Sequence, residues 1–451
     1  MTTNKPREGN LEAPTRHAID WKNPDYYDEP RLHTEMERVF DICHGCRRCL
    51  SLCNAFPTLF DLVDESETME VDGVAKEDYT KVVDDCYLCD MCYMAKCPYV
   101  PPHPFNLDFP HLMLQAKAVK HHKEGLSVRD RVLSNTDHLG KLSGIPLISE
   151  TLNAINHWQP ARNAVEKALG VHRNAWLPAF APKTLRKSVA APQAVAAKDG
   201  ERTPGKVALF ATCYINYNEP GIGRDMISIL DHNRIPWVFA KKEVCCGMPK
   251  LEQGDLDGVE RLKRINIPQL AQLARQGYAL MAAVPSCTLM FKQEIPLMYP
   301  DDEEVQQVKN AFWDPFEYFI ARIRDGLLDT HFSVGLGNIA YQVPCHGRVQ
   351  NIGKKTEEFL KQIPDTEVKT IERCSGHAGT YGVKKEFHQT AMKIGRAVFR
   401  TAAETEPDYI SSDCPLGGHH IAQGVRENHG KEPTLMHPLS LAAKAYGLKK
   451  D

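Results

Sequence analysis

Apolar residues recur with helical spacing in the first quarter of the chain. In residues 31–41 the apolar side chains fall on one side of a helix, and residues 58–64 and 111–120 follow the same pattern. Residues 1–30, in contrast, are polar and punctuated by prolines. We therefore predict a helical region that is preceded by a loose arm.

The pattern changes after residue 206, where short apolar runs alternate with helical stretches. Each run has the length of a buried strand and is followed by a cysteine. The predicted strands are, in order, residues 207–211, 237–240, 278–284, 339–343, 366–372 and 409–411. The last three repeat the layout of the first three with nearly equal separations, so we predict two α/β halves of one domain. Ligands of open α/β sheets lie beyond the carboxyl ends of the strands, where these cysteines fall.

Two further runs of cysteines lie among the predicted N-terminal helices. Each has three cysteines at two-residue spacing and a fourth shortly afterwards. Three such thiolates can bind three irons of a [4Fe-4S] cluster from one backbone turn, and the fourth cysteine binds the cluster of the other run, as in two-cluster bacterial ferredoxins. The first predicted ligand set is Cys43, Cys46, Cys49 and Cys97. The second is Cys86, Cys89, Cys92 and Cys53.

Two other uses of these cysteines are disfavoured. A zinc ribbon takes two separated cysteine pairs rather than two triplets with a trailing cysteine. A disulfide framework requires export, and the first twenty residues lack the apolar run of a signal peptide. Fifteen cysteines in 451 residues are also an odd count and too sparse for such a framework. We therefore expect reduced thiolates in a cytoplasmic protein.

Composition narrows the class of protein further. The chain is 42% hydrophobic and 25% charged, as in ordinary globular proteins. Its formal net charge of −3 gives no electrostatic footprint for nucleic acid. The glycine-rich residues 375–382 match neither the dinucleotide fingerprint nor the Walker motif, so we interpret them as a tight loop rather than an anion cradle. We expect no NAD or flavin site, and chemistry that proceeds by single electrons.

The cysteines after residue 206 carry a family resemblance. The phrases Cys245-Cys246-Gly247-Met248-Pro249, Pro285-Ser286-Cys287 and Val343-Pro344-Cys345-His346 resemble the cysteine-rich CCG domain of heterodisulfide reductase catalytic subunits. That family includes the C subunit of anaerobic glycerol-3-phosphate dehydrogenase, which this order of domains resembles most. The resemblance implies a multidomain α plus α/β fold, in which an α-helical two-cluster ferredoxin domain precedes a duplicated α/β CCG domain.

This chain departs from the family's five cysteines per repeat. Val284 replaces one cysteine in the first repeat, and Ser375 and Ser411 replace two in the second. The resemblance implies that the remaining ligands of the first repeat are Cys213, Cys245, Cys246 and Cys287. Those of the second are Cys345, Cys374 and Cys414. The second repeat has three open alternatives: an exposed cluster corner, an oxygen or nitrogen ligand from His346, His377 or Asp413, or the loss of its cluster.

The resemblance implies an iron-sulfur electron-transfer subunit of an oxidoreductase. Two [4Fe-4S] clusters would relay single electrons to a C-terminal centre of one or two further clusters, and from there to an acceptor such as a quinone. The implied partner is a flavoprotein or another redox subunit. A disulfide reductase is the first alternative, although the missing cysteines weigh against it. A soluble carrier that serves a partner enzyme such as a peroxide reductase is the second, and a zinc-stabilised scaffold is the third.

The predicted organisation has five segments. They are the ferredoxin domain at 31–135, a helical segment and linker at 136–204, the two CCG repeats at 205–300 and 338–430, and a C-terminal helix at 431–451. Within the second segment, residues 161–169 place small apolar side chains on one helical face. We expect this face to pack against another domain, with binding at a membrane surface as the alternative. The expected location is the cytoplasm, with peripheral contact at the inner face of the membrane left open.

Overall fold

The computed structural model describes residues 14–95, 97–143, 146–190, 192 and 195–449. These residues fall into two compact units. The first comprises the described residues of Met1–Leu126, with Lys250–Leu256 and Leu297–Pro300. The second comprises the described residues of Ser127–Pro249, Asp257–Pro296 and Asp301–Asp451. The finer division into five segments stays a prediction.

The first unit is built of helices. Its α-helices are Glu29–Cys46, Ala55–Asp64, Tyr79–Asp85, Met91–Ala95 and Phe109–Glu124. Short 3-10 turns occupy Pro24–Tyr27, Val71–Gly73 and Lys76–Asp78. Each of the three helices predicted from apolar spacing is present and is somewhat longer than its apolar stripe.

Local sequence sets where the two longest helices of this unit begin and end. The Asp28 carboxylate accepts a hydrogen bond from the backbone N–H of Arg31 and caps the first of them. Asp108 accepts one from the backbone N–H of His111 in the same way. Gly125, with a φ of 72°, ends the second helix.

An aromatic cluster fixes these helices to one another. The ring centroids of Phe56 and Phe109 are 4.7 Å apart, and those of Phe40 and Tyr79 are 5.0 Å apart. All four side chains are almost fully buried. Because their helices flank the two N-terminal cysteine runs, this apolar burial also holds the cysteine loops in place.

Residues 14–28 are not the loose arm that the sequence predicts. Ile19 and Trp21 are buried, and the backbone N–H of Ile19 donates a hydrogen bond to the carbonyl oxygen of Leu297 at 2.8 Å. The prediction is wrong here because two apolar side chains in a polar segment suffice to anchor it. Residues 1–13, which belong to the same predicted arm, lie outside the described residues.

Two parallel sheets organise the second unit. The strands of the first are β1 (Val207–Leu209), β2 (Trp237–Phe239), β3 (Ala279–Met281) and β4 (Phe312–Trp313), in the order β2-β1-β3-β4. The strands of the second are β5 (Gly337–Gln342), β6 (Thr366–Ile371) and β7 (Tyr409–Ser412), in the order β6-β5-β7. Every strand pair is parallel. The predicted combination of helices with a duplicated α/β half is confirmed. Only β4, two residues long, has no counterpart among the six predicted strands.

Helices connect and cover these strands. The α-helices after residue 127 are Val128–Leu133, Thr136–Ser143, Pro146–His157, Gln159–Leu169, Leu185–Ser188, Cys213–Tyr217, Pro220–His232, Met248–Leu251, Leu256–Arg275, Pro285–Leu289, Ile295–Met298, Glu303–Ala311, Pro315–Arg324, Cys345–Arg348, Lys355–Leu360, His388–Glu404, Pro415–His429 and Pro438–Ala445. A π-helical turn occupies Met290–Glu294, and a 3-10 turn occupies Tyr381–Val383. Among the residues that the structure describes, no helix is both long and apolar enough to cross a membrane.

One hydrophobic core serves both sheets. It contains residues of β1 and β3 from the first sheet and of β5 from the second. The ring of Phe359 lies at its centre, with centroids 5.3 Å from Phe316, 6.1 Å from Phe319 and 5.8 Å from Phe332. The shared core makes the two halves one folding unit and fixes the strand ends at which the cysteines lie.

Helix Gln159–Leu169 does not bury its alanines as predicted. Ala164 and Ala168 are exposed, whereas Arg162 and Glu166 are buried. The Arg162 guanidinium donates hydrogen bonds to the carbonyl oxygens of His172 and Ala175 at 2.8 and 2.6 Å. Charged side chains with backbone partners, rather than the small apolar face, therefore hold this helix.

We expect Phe359→Ala to lower the free energy of unfolding of the second unit by about 3–5 kcal/mol, because the fully buried ring would leave a cavity. Chemical denaturation followed by tryptophan fluorescence measures the change. Val334→Ala, at a side chain that is 39% exposed, is the matched control and should change the value by less than about 0.5 kcal/mol. Equal losses in the two variants would contradict the core described here.

Candidate metal centres

The first cysteine run begins in the last turn of helix Glu29–Cys46. That helix ends at Arg47, whose φ of 50° turns the chain and whose backbone N–H donates to the carbonyl oxygen of Cys43 at 2.8 Å. Cys49 and Cys53 follow in turns outside the helix. The left-handed residue thus separates two helical cysteines from two loop cysteines.

The structure brings Cys97 to this first run. Burial, followed by the nearby thiols of Cys97, Cys49 and Cys46, raises the pKa of Cys43 well above its usual range. All four cysteines line one pocket. The apolar residues around them are Ile42, Phe56, Phe60, Pro98, Tyr99 and Leu107. The grouping predicted from spacing is therefore also a grouping in space.

The second run forms a separate set that includes Cys53. Its loop is shaped by two left-handed residues, Leu88 and Asp90, with φ of 50° and 60°. Burial is the largest cause of the raised pKa of Cys92, and the nearby thiols follow in the order Cys89, Cys86, Cys53 and Cys49. Because Cys49 belongs to the first set, the two sets lie side by side within the first unit.

The chemistry of both sets suits iron-sulfur clusters. Crowded buried thiols resist ionisation because each thiolate raises the pKa of the next. Iron supplies the positive charge that allows all of them to ionise and bind together. Among the described residues, no three His, Cys, Asp or Glu side chains converge as a single metal ion would require. That finding concerns single ions, since the thiolates of a cluster bind different irons.

Two cationic side chains near the N-terminal cysteine sets were not predicted from the sequence. The Arg16 guanidinium is 8% exposed and pairs with Asp90 at 2.5 Å and with Asp108 at 2.8 Å. The Lys117 ammonium opposes the effect of burial on Cys86 by lowering the pKa of that thiol. A single charge in a polar arm or on a helix carries no motif, so sequence spacing could not have identified either residue.

The four cysteines of the first CCG repeat form one connected group. Hydrogen bonds from Cys213 and then Cys246 lower the pKa of Cys245, and the Cys246 thiol also contacts Cys287. Cys245, Cys246 and Cys287 are buried, and Cys213 is partly exposed. Gly247 follows the adjacent pair with a φ of 107°, a conformation that glycine adopts without strain.

Helix Thr136–Ser143 supplies a residue to this group that the sequence analysis missed. The Asp137 carboxylate accepts a hydrogen bond from the backbone N–H of Cys245 at 2.5 Å. Burial, then the Cys245 thiol, raises the pKa of Asp137. Burial also raises the pKa of Glu243 to about 6, although Arg186 pairs with it at 2.8 Å. Both carboxylates lie in segments without a recognisable motif.

The three cysteines of the second CCG repeat also come together. Burial, followed by the thiols of Cys374 and Cys414, raises the pKa of Cys345. All three are more exposed than the buried cysteines of the first repeat. The second repeat therefore has a more open site with one thiol fewer.

The structure places the three suggested oxygen or nitrogen ligands in different surroundings. Asp413 accepts hydrogen bonds from the hydroxyl groups of Tyr341 at 2.5 Å and Thr356 at 2.9 Å. Nδ1 of His346 is 2.8 Å from the Ser286 hydroxyl. Burial lowers the pKa of His377 to about 4, and its ring lies beside a second histidine ring at a centroid distance of 6.0 Å.

Comparison with known proteins defines the class of the second unit's domains. The family described as the cysteine-rich domain CCG matches this chain twice, at residues 207–292 and 339–422. Each match contains one set of strands and one group of converging cysteines. The chain therefore contains two CCG domains, and the resemblance deduced from the cysteine motifs is confirmed.

Three curated relatives show how far the similarity extends. The C subunit of anaerobic glycerol-3-phosphate dehydrogenase from Escherichia coli strain K12 is 28% identical over 342 residues, which cover 74% of this chain and 81% of the relative. The B subunit of fumarate reductase (CoM/CoB) from Methanothermobacter marburgensis is 24% identical over 252 residues, covering 55% and 48%. Lactate utilization protein A of Bacillus cereus strain AH187 is 26% identical over 239 residues, covering 51% and 96%. The first match is longer than the stretch from residue 207 to the end of the chain, so it reaches into the sequence before the CCG domains.

We expect Arg16→Gln to lower the free energy of unfolding of the first unit by about 3–5 kcal/mol at pH 7, because the buried Asp90 carboxylate and the half-buried Asp108 carboxylate lose a cation. Burial alone would raise the pKa of Asp108, but His111 and Arg16 outweigh it and lower that pKa. The folded-state pKa lies below the unfolded one, so this stabilisation exists above about pH 4 and is lost as the pH falls. The difference between variant and wild type should therefore narrow in acid.

Denaturant titrations at neutral and acidic pH under anaerobic conditions measure this difference. Arg31→Gln is the matched control, since the Arg31–Asp25 pair has side chains that are 65% and 67% exposed. Arg31→Gln should lower the free energy of unfolding by about 0–1 kcal/mol. A pH-independent loss for Arg16→Gln would contradict the assigned pairing.

Proposed function

We propose that this protein is an iron-sulfur electron-transfer subunit of an oxidoreductase. It carries two [4Fe-4S] clusters in an α-helical ferredoxin domain and one or two further clusters in its CCG domains. The observation that supports this most strongly is that the fourth cysteine of each run lies with the three cysteines of the other run. Cys97 lies with the first run and Cys53 with the second, as two-cluster ferredoxins require.

The first unit supplies a set of ligands and a partly buried setting for each cluster. When bound, the clusters supply one-electron transfer at a potential set by charge, hydrogen bonding and exposure. The aromatic residues Phe56 and Phe60 exclude water from the first set. Lys117 and the Arg16–Asp90 pair place charge beside the second set. The chain thus controls the potentials through residues that bind no iron.

The first CCG domain provides four thiols in a closed setting. Cys213, Cys245, Cys246 and Cys287 are the proposed ligands there. Thr136 lies beside Cys213 and Cys245, and the Asp137 carboxylate holds the backbone of Cys245. These contacts hold the adjacent cysteine pair in place, which favours one geometry of the site.

The proposed partners follow from the names of the relatives. One relative is a subunit of a dehydrogenase, and another is a subunit of a reductase. We propose that a flavoprotein or another redox subunit exchanges electrons with this chain and that a quinone is the acceptor. Reduced thiols as metal ligands favour a cytoplasmic location, with the quinone reached at the inner face of the membrane.

Anaerobically purified protein should contain about 12–16 irons and as much acid-labile sulfide per chain. Cys92→Ala should lose about four of these irons, together with the EPR signal of one of two coupled cubanes. Cys213→Ala should lose a similar number and keep both coupled cubanes, because its ligand set lies in a CCG domain. Iron and sulfide analysis with EPR of the reduced protein measures these outcomes.

Leu50→Ala is the matched control, because Leu50 lies between two proposed ligands and its side chain is 53% exposed. Its iron content should equal that of the wild type. Wild-type protein without acid-labile sulfide would contradict the proposed function. A content of about eight irons, with only the EPR signals of coupled cubanes, would mean that clusters are bound in the first unit and not in the CCG domains.

If a quinone is the acceptor, a menaquinone analogue should reoxidise the dithionite-reduced protein. The visible absorbance of the oxidised clusters should return in proportion to the quinone added, while quinol accumulates. A low-molecular-weight disulfide serves as the comparison under the same conditions. Reoxidation by the disulfide and not by the quinone would contradict the quinone assignment and favour a disulfide reductase.

A further inference from the structure

The second CCG domain has three converging cysteines but no evident fourth ligand. Its cysteines are Cys345, Cys374 and Cys414, and each is partly exposed. A [4Fe-4S] cluster has four irons, so three thiolates leave one iron without a protein ligand. The surroundings of the three sulfur atoms show which side chain is placed to complete the set.

Backbone N–H groups donate hydrogen bonds to three candidate ligand atoms in this domain, and one of the three is an oxygen. The N–H of Gly376 donates to Cys374 Sγ at 3.3 Å, and the N–H of Gly417 donates to Cys414 Sγ at 3.4 Å. The N–H of His377 donates to Ser375 Oγ at 3.4 Å. A backbone N–H stabilises negative charge on the atom that accepts its hydrogen bond. Ser375 Oγ accepts one such bond, as the sulfur atoms of Cys374 and Cys414 do.

Ser375 and Cys414 also face the same small space. A β-carbon built on Gly417 would lie 3.4 Å from Ser375 Oγ and 3.5 Å from Cys414 Sγ. In the first CCG domain the residue three positions after the last cysteine is Met290, which is fully buried. A glycine at the corresponding place in the second domain leaves the gap between oxygen and sulfur free of a side chain.

Of the other candidate ligands, Asp413 has both oxygens engaged in hydrogen bonds, whereas Nε2 of His377 is buried without a hydrogen-bond partner among the described residues. Both carboxylate oxygens of Asp413 accept hydrogen bonds, from Tyr341 and from Thr356. The His346 ring is bonded through Nδ1 to Ser286 of the first CCG domain. The ring of His377 packs beside another imidazole, although its backbone N–H is the donor to Ser375. Ser375 differs from these three residues because it shares both the amide pattern of the sulfurs and their common space.

We infer that the Ser375 hydroxyl oxygen is the fourth ligand of a [4Fe-4S] cluster held by the three cysteines of the second CCG domain. This inference rests on the proposed function, because it requires a cluster in that domain. Serine binds through oxygen, which is a harder donor than sulfur and holds iron in a cluster less firmly. The iron at Ser375 is therefore the one that oxidation removes first.

The experiment uses full-length, anaerobically purified protein and a limited amount of ferricyanide. A [4Fe-4S]²⁺ cluster that gives one electron to ferricyanide and releases Fe²⁺ becomes [3Fe-4S]⁺, which EPR detects. Wild-type protein should show this signal. Ser375→Cys should suppress it, because a thiolate then holds the corner iron. Ser375→Ala should reach the full signal with less ferricyanide than the wild type and should lose iron to a chelator roughly 10–100-fold faster.

Two further variants assign the signal to its domain. Cys374→Ala should abolish the signal together with about four irons. Cys246→Ser gives the first CCG domain a serine at the matching position and should add a second [3Fe-4S] signal. Circular dichroism of each variant establishes that it has folded.

The outcomes separate this inference from the proposed function. If Ser375→Ala and wild type behave alike in signal and iron loss, Ser375 is not a ligand. If Cys374→Ala keeps the wild-type iron content, the second CCG domain binds no cluster and the inference fails, while the clusters elsewhere still support the proposed function. Wild-type protein without acid-labile sulfide would contradict both the inference and the proposed function.

Discussion

Buried thiols that lie side by side set the main constraint on this structure. In the first unit, each neighbouring thiol adds to the effect of burial and raises the pKa of Cys43 and of Cys92. Such a group cannot ionise as a whole unless positive charge enters it. The fold therefore has to bring cysteines from separate segments together and still leave space for that charge. The helices, strand ends and left-handed residues around the cysteines meet this requirement in different ways in the two units.

In the first unit, helices provide rigidity and short loops provide the ligands. The aromatic cluster of Phe40, Phe56, Tyr79 and Phe109 holds the helices that flank both cysteine runs. In the second unit, parallel sheets have this role. Their strands share one core, and the cysteines follow the carboxyl ends of the strands. Apolar packing therefore helps to position the ligand sets in both units.

The two CCG domains show how one architecture gives sites of different character. The first buries three of its four thiols and has Asp137 against the backbone of the adjacent pair. The second has three more exposed thiols, a serine and a glycine where the first has cysteine and methionine. A closed site of four thiolates suits repeated electron transfer without loss of iron. The second site is more open and has one thiol fewer, so the two sites differ in exposure and in the number of thiols.

The sequence by itself determined three of the five α-helices described in the first unit and six of the seven described strands, and it suggested how the cysteines group, because periodicity and ligand spacing are local properties of a chain. It did not reveal Arg16 or Asp137, and it indicated the wrong buried face for helix Gln159–Leu169. It also left open whether the second CCG domain has an exposed cluster corner, an oxygen or nitrogen ligand, or no cluster. The surroundings of Arg16, Asp137 and that helix were decided only by the tertiary structure, since each depends on charged groups and side chains from distant segments that meet when the core forms. A motif records the residues that bind, whereas the fold decides which other residues surround them.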